Sequence, residues 1–268
     1  MSGVERIAAA FARVRAQGRA ALMPYVTLGF PQRAISPAVV EAVANSGADL
    51  IELGVPFSDP LADGPTIQHS TQVALEQGIT LAGCLEIVAD LRERGILTPF
   101  MLMGYTNPIL SYGVKRFTAD AARVGADGLI VPDLPPEEAG ELEGACRENG
   151  LALVYLVPPT ASQERIRLIA ARSSGFLYLV SLTGVTGARH ELPPDLAGFI
   201  QRVRQVSQLP LAVGFGISNP RQARAVGSVA DGVIVGSALV DVIGRSADPA
   251  HAAGEFVRGL RQGLAVLE

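Results

Sequence analysis

Short apolar segments alternate with longer segments of helical periodicity along the whole chain. The apolar segments are bounded by Gly, Pro or Asp, as is typical of buried strands. They span residues 21–28, 49–54, 99–104, 128–132, 151–157, 176–181, 211–215 and 232–235. A helical pattern follows each of them, near 36–46, 66–94, 108–124, 136–149, 162–172, 195–206, 219–226 and 248–266. Because only a crossover connection joins neighbouring parallel strands, this alternation predicts a parallel sheet.

Eight strand–helix units in 268 residues predict the α/β class and a closed (β/α)₈ barrel, the TIM barrel. A further helix is expected near 3–16, before the first strand. A doubly wound open sheet is the alternative, since it has the same alternation. No linker-like or low-complexity stretch divides the chain, so we expect one domain over 1–268.

Composition and charge narrow the functional class. The net charge is −4 and the basic residues are scattered, so the basic stripe of a nucleic-acid-binding surface is missing. The first segment resembles an amphipathic helix rather than a signal peptide, and the longest charge-free run is broken by prolines and glycines. Cys84 and Cys146 lie in helical patterns without metal-ligand spacing. We expect a cytoplasmic protein whose partners are small molecules and proteins.

The second strand carries a carboxylate. Side chains alternate along a strand, so Ile51 and Leu53 are expected to face the helices and Glu52 to point into the barrel. A carboxylate in an apolar interior is costly unless it has a partner or a task. One interpretation is a hydrogen-bonded structural glutamate. The other is a proton-transfer group at the carboxyl ends of the strands, where barrel enzymes have their active sites.

The loop FSDPLADGP (57–65) follows this strand and contributes two more carboxylates. Asp63 can face Glu52 across the mouth of the barrel. Asp before Pro or Gly is also ordinary turn chemistry, and for Asp59 that interpretation stays open.

The last two strands end in glycines. VGFGIS (213–218) and IVGSAL (234–239) let backbone N–H groups approach an anion, and Ser237 is expected to open a short helix. This pair predicts a phosphate site at the usual position in a barrel. The longer loop LTGVTGARHELPPD (182–195) is expected to be a lid or a disordered loop. Between the two ends, the inward candidates suit a flat hydrophobic group or plain barrel core: Tyr25, Met103, Ile130, Leu156, Tyr178 and Phe215.

Two common electron sinks are missing from the sequence. The single lysine, Lys115, lies in a predicted helix, and His69, His190 and His251 form no ligand pattern, so neither a Schiff base nor a metal is expected. A lyase with carboxylates alone needs a substrate that stores the electrons itself. An indole ring does so once it is protonated at C3.

The stretch IELGVPFSDPLADGPTIQ (51–68) resembles the signature of the tryptophan synthase alpha subunit. Further similarity lies, in register over essentially the whole chain, in PYVTLGFP (24–31), MGYTNPI (103–109), VPDLPPEE (131–138), YLVSLTGVTGAR (178–189), VGFGIS and VGSALV (235–240). The resemblance implies a lyase (EC 4.2.1.20) that cleaves indole-3-glycerol phosphate to indole and glyceraldehyde 3-phosphate in tryptophan biosynthesis. It also implies an α₂β₂ heterotetramer in which indole passes to a beta subunit carrying pyridoxal phosphate, with no cofactor in the alpha chain.

The same resemblance implies roles for individual residues. Glu52 matches the acid/base, and Asp63 matches the carboxylate that binds the ring N–H. Tyr178 matches a position that lines the substrate, and Thr186 lies in the lid that closes against Asp63. With the inward candidates they form the predicted substrate-binding set: Tyr25, Met103, Ile130, Tyr178, Thr186 and Phe215. The phosphate contacts are Gly187, Gly216, Gly236 and Ser237. The partner-interface positions are Pro56, Asp59, Asn107 and Pro135. Leu182 departs from the arginine frequent in bacterial members, which puts regulation of the lid in doubt.

Three other readings stay open at this point. The first is another phosphate-binding barrel enzyme, such as an isomerase or indole-glycerol phosphate synthase, although the synthase is disfavoured because Lys115 is not at a strand end. The second is a non-catalytic barrel that only activates a beta subunit, which the intact Glu52 and Asp63 disfavour. The third is a stand-alone lyase that releases free indole.

Overall fold

The computed structural model describes residues 1–180, 195–214 and 216–265. In this part of the chain, nine parallel strands form one sheet with the order β5-β4-β3-β2-β1-β9-β8-β7-β6. Their bounds are β1 Ala21–Thr27, β2 Ile51–Gly54, β3 Phe100–Met103, β4 Gly128–Ile130, β5 Ala152–Val154, β6 Leu156–Val157, β7 Leu177–Val180, β8 Leu211–Gly214 and β9 Gly232–Val235. The two edge strands, β5 and β6, are separated in the chain by Tyr155 alone. The sheet therefore curls round to the same segment, which confirms the barrel and makes the open sheet wrong.

Most helices connect successive strands around the outside, while the first precedes β1 and the last two follow β9. They are α1 Gly3–Ala16, α2 Ser36–Asn45, α3 Pro65–Glu76, α4 Leu81–Glu93, α5 Thr106–Tyr112, α6 Val114–Arg123, α7 Gly140–Glu148, α8 Gln163–Arg172, α9 Leu196–Arg204, α10 Pro220–Gly227, α11 Ser237–Arg245 and α12 Pro249–Gly263. A 3₁₀ turn, Pro136–Glu138, precedes α7. Among the described residues, no helix is long and apolar enough to cross a membrane.

Some predicted elements are divided in the structure. The predicted helix 66–94 is broken where Gly78 takes φ 73°, a conformation that ends α3, and the side chain of Thr80 then caps α4. The predicted helix 108–124 is broken at Gly113, where φ is 93°. The predicted strand 151–157 is interrupted at Tyr155, whose N–H bonds the Ser173 hydroxyl at 3.2 Å.

Alternation along the strands sorts the apolar side chains into two layers. Ile51 and Leu53 belong to the large cluster between sheet and helices, whereas Leu50 belongs to the smaller cluster inside the barrel. Helix α1 contributes Phe11 to the inner cluster, where its ring lies 5.8 Å from that of Phe176. The predicted N-terminal helix therefore packs against the interior of the barrel.

Aspartates at the starts of three strands fix the opposite end of the barrel. Asp49, Asp127 and Asp231 each accept the N–H of a residue in the neighbouring strand, at 3.0, 2.8 and 2.8 Å. Each also pairs with an arginine: Arg19, Arg92 and Arg204, respectively. The amino ends of the strands are thus tied by satisfied charges, and the carboxyl ends remain available for a site.

Candidate active site

Glu52 lies in the middle of the barrel with no polar partner. It stands in register between Tyr25 of β1 and Met101 of β3, and its relative exposure is 0%. Neither carboxyl oxygen has a hydrogen-bond partner among the described residues. Burial raises the pKa of Glu52 well above its ordinary value, so the protonated, neutral form is favoured. A protonated acid with an uncommitted proton is a potential proton donor.

Asp63 lies in the loop between β2 and α3 and is half-buried. The loop is folded tightly, because the Asp63 N–H donates to the Pro60 carbonyl at 3.0 Å and Gln68 donates to the Asp63 carbonyl at 2.9 Å. Burial raises the pKa of Asp63 to about 6, although a hydrogen bond from Tyr105 acts to lower it. At neutral pH the Asp63 carboxylate is therefore mostly ionised, whereas burial favours the protonated form of Glu52.

Two tyrosines are placed beside these carboxyl groups by neighbouring glycines. A Cβ on Gly54 would lie 1.9 Å from the Tyr25 hydroxyl, and one on Gly214 would lie 2.8 Å from the Tyr178 hydroxyl. Burial raises the pKa of Tyr178 far above its ordinary value, and burial followed by the nearby Asp63 carboxylate does so for Tyr25. Both phenols are therefore neutral.

The apolar candidates lie at the ends of neighbouring strands. Met103 is in register with Gly54 on one side and with Ile130 on the other. Ile130 is fully buried in the inner cluster, and Met103 and Leu156 are half-exposed beside it. Thr186, Gly187, Phe215 and Leu182, with residues 182–194 of the expected lid, lie outside the described residues.

The phosphate candidates lie where β8 and β9 end. Gly216 has φ 60°, which favours glycine, and Gly236 directly precedes α11, whose first residue is the buried Ser237. No side chain of the described residues caps this helix, so the N–H groups of its first residues and the positive end of its dipole can meet an anion. A Cβ on Gly236 would lie 3.7 Å from that of Tyr25. Tyr25 therefore lies between the phosphate candidates and the carboxyl groups of Glu52 and Asp63.

The partner-interface candidates differ in exposure. Asp59 and Asn107 are exposed and Pro135 is half-buried, whereas Pro56 is buried by its own chain. The backbone and hydroxyl of Thr106 both donate to Asp133 at 3.0 Å, which ties the start of α5 to the loop after β4. Two leucines add apolar surface on the loop and on α5: Leu61, 88% exposed, and Leu110, 57% exposed.

The remaining polar candidates are scattered. Lys115 lies in α6, and His69 and His251 are exposed in α3 and α12, while His190 is outside the described residues. Cys84 and Cys146 are buried in α4 and α7. No group of three or more His, Cys, Asp or Glu among the residues described could hold a metal ion.

Tyr105 was missed by the sequence reasoning. It lies two residues after the end of β3, within MGYTNPI, and its hydroxyl contacts the Asp63 loop. Its position just beyond a strand end is the signal that could have singled it out.

Comparisons with known proteins agree with this geometry. Residues 11–263 match the family model described as tryptophan synthase alpha chain. The tryptophan synthase alpha chain of Roseiflexus castenholzii is 55% identical over 96% of this chain and 100% of its own, and that of Chloroflexus aurantiacus is 52% identical over 98% and 99%. A chain of Mycobacterium tuberculosis tryptophan synthase superimposes with a TM-score of 0.92 at 38% identity, covering 97% of this chain and 98% of that one. The tryptophan synthase alpha subunit of Legionella pneumophila gives 0.90 at 38%, covering 98% of each.

Proposed function

The chain belongs to the tryptophan synthase alpha chain family, and we propose that Glu52 and Asp63 carry out its lyase reaction. That alpha reaction, EC 4.2.1.20, cleaves indole-3-glycerol phosphate to indole and glyceraldehyde 3-phosphate in tryptophan biosynthesis. One observation supports the assignment above all: a fully buried carboxyl group whose two oxygens have no partner among the described residues. Such a group is costly to the fold and suited to proton transfer.

The first step is protonation of the indole ring. Glu52, neutral in the empty site because of its burial, gives its proton to C3. The ring then carries a positive charge, and the Asp63 carboxylate accepts a hydrogen bond from the ring N–H and stabilises that charge. A fixed carboxylate in a water-poor site does this more effectively than solvent.

The second step breaks the carbon–carbon bond. The Glu52 carboxylate takes the proton of the glycerol hydroxyl on the carbon attached to C3, and that oxygen becomes the aldehyde oxygen of glyceraldehyde 3-phosphate. The electron pair of the breaking bond returns to the ring and neutralises its charge. Indole is released, and Glu52 is again protonated, so the proton balance closes without a metal or a cofactor.

The phosphate holds the substrate across the barrel. We assign it to the backbone of Gly216 and Gly236 and to Ser237 at the start of α11, with Gly187 as a further contact. Tyr25, Met103, Ile130 and Tyr178 then line the indole ring, with Thr186 and Phe215 completing the set. The support is the positive end of α11, which no described side chain caps and which lies beside Tyr25, the tyrosine near the carboxyl groups.

Family membership implies a beta-subunit partner. We propose that Asp59, Asn107 and Pro135 contact it, with Pro56 supporting the loop from beneath. The complex would be an α₂β₂ heterotetramer in the cytoplasm, with pyridoxal phosphate in the beta subunit and none in this chain.

The test compares Glu52→Gln with the wild type in an assay of indole release. Because the amide keeps the shape and cannot exchange a proton, we expect a loss of at least about 100-fold. Glu143→Gln on α7 is the matched control, since Glu143 is held by Arg172 and Tyr155 outside the site, and it should keep wild-type activity. Near-normal turnover by Glu52→Gln would refute the assignment.

A further inference from the structure

Tyr105 connects the Asp63 loop to the start of α5. It is 5% exposed, its ring centroid lies 5.4 Å from that of Phe57, and its hydroxyl oxygen accepts the Ala62 N–H at 3.1 Å. Both contacts belong to the loop that carries Asp63. The loop therefore rests on a buried aromatic ring immediately before its carboxylate.

The direction of the hydrogen bonds at this hydroxyl is fixed by counting protons. A backbone N–H only donates, so the Tyr105 oxygen accepts from Ala62. An ionised carboxylate only accepts, so the single phenol proton is donated to Asp63, its other hydrogen-bond partner. The two hydrogen bonds run in series, from the Ala62 N–H to the Tyr105 hydroxyl and from that hydroxyl to the Asp63 carboxylate, and the first polarises the second.

We propose that Tyr105 is a positioning residue that aims the Asp63 carboxylate at the substrate's ring nitrogen before substrate binds. This inference rests on the proposed role of Asp63. It adds a residue after β3 to the two carboxyl groups, which belong to β2 and the loop after it. The aromatic ring of Tyr105 packs against the loop, and its hydroxyl donates a hydrogen bond to the Asp63 carboxylate.

Three further titratable side chains are buried in the described part of the barrel interior. Glu52, Tyr25 and Tyr178 come from β2, β1 and β7, and burial keeps all three neutral in the empty site. Asp133, which is near Tyr105, is itself bound by Thr106. Burial raises the pKa of Asp63, and the Tyr105 hydrogen bond opposes that rise.

The experiment removes the Tyr105 hydroxyl and nothing else. Tyr105→Phe keeps the ring against Phe57, and Tyr112→Phe is the matched control, because it breaks a tyrosine–aspartate bond of 2.8 Å, to Asp120, away from the site. The pKa of Asp63 is read from the ¹³C carboxyl signal of the full chain, assigned through Asp63→Asn. Circular dichroism and thermal unfolding verify that each variant is folded.

We expect Tyr105→Phe to raise the pKa of Asp63 by about one unit and Tyr112→Phe to leave it unchanged. The acid limb of kcat/KM, which reports on the free enzyme, should move by the same amount. At about pH 6 this gives about a fivefold loss from ionisation alone, with little at about pH 8.

An unshifted Asp63 signal in folded Tyr105→Phe would overturn the inference, as would a loss of kcat/KM that is equal at all pH values. Both outcomes are distinguishable from failure of the proposed function. If the proposed function were wrong, the wild type itself would release no indole, while the titration of the Asp63 carboxyl could still be measured.

Discussion

Replacing Glu52 with Gln should change how stability depends on pH as well as abolish activity. The Glu52 carboxyl is fully buried, and its oxygens have no partner among the residues described. Folding therefore favours the protonated form, and the native chain must either keep that proton or bury an uncompensated charge. Gln fills the same space and does not titrate. The two proteins thus differ in a single buried ionisation.

The sign and the slope follow from linkage. Burial raises the folded pKa of Glu52 well above the unfolded value of 4.5. Its contribution to stability is therefore fully present below the unfolded pKa and is lost as the pH rises through the folded pKa. Across that window the free energy of unfolding of the wild type falls relative to Glu52→Gln by about 1.4 kcal/mol per pH unit. The buried amide adds an offset that does not depend on pH.

The assay is urea unfolding of both proteins at intervals from about pH 5 to about pH 8, without substrate. Other titrating groups are shared and cancel in the difference. Glu143→Gln is the control, because the pKa of Glu143 is shifted in the opposite direction to that of Glu52. Burial tends to raise the pKa of Glu143, but Arg172 and Tyr155 outweigh this effect and lower it. Its stabilising contribution is present above the unfolded pKa, so the control difference should be flat in this range. A flat difference for Glu52→Gln as well would refute the reasoning.

Three further predictions separate effects on stability from effects on the chemistry. Asp127→Asn removes the fully buried charge shared by two arginines, and should lower the free energy of unfolding, measured in urea, by about 3–5 kcal/mol. Asp63→Asn should lose about 100- to 1,000-fold in basal indole release. Asp59→Asn should keep basal activity and lose activation by added beta subunit. Equal basal losses in the two variants would contradict a catalytic role for Asp63 and an interface role for Asp59. Gly54→Ala places a Cβ 1.9 Å from a tyrosine hydroxyl and should lower the thermal midpoint, whereas Gly140→Ala, with no atom within 4 Å of its Cβ, should not.

The fold could be predicted because its signals are local. Strand–helix alternation requires parallel strands, and the two-residue period of a strand assigns Glu52 and Leu50 to one face and Ile51 to the other. The structure places Leu50 and Ile51 in the inner and outer clusters accordingly. These inferences need only the residue types and their spacing.

The features that could not be predicted depend on backbone angles or on distant contacts. Helical periodicity continues across Gly78 and Gly113, so the sequence does not show that their positive φ values end one helix before another begins. The bond between Tyr105 and the Ala62 N–H joins residues 43 positions apart. No local pattern specifies a contact at that separation.

The buried carboxyl groups of Asp127 and Glu52 differ in their hydrogen-bond and charge partners. Asp127, at the start of β4, accepts hydrogen bonds from the Phe100 N–H and two arginines, and these partners oppose the rise in its pKa that burial causes. Glu52, in β2 and just as buried, has neither donor nor cation among the described residues, so its burial weakens the structure and retains a proton. Because a satisfied carboxylate loses the reactivity that an unsatisfied one keeps, stabilising Glu52 with a partner would remove the property that proton transfer requires.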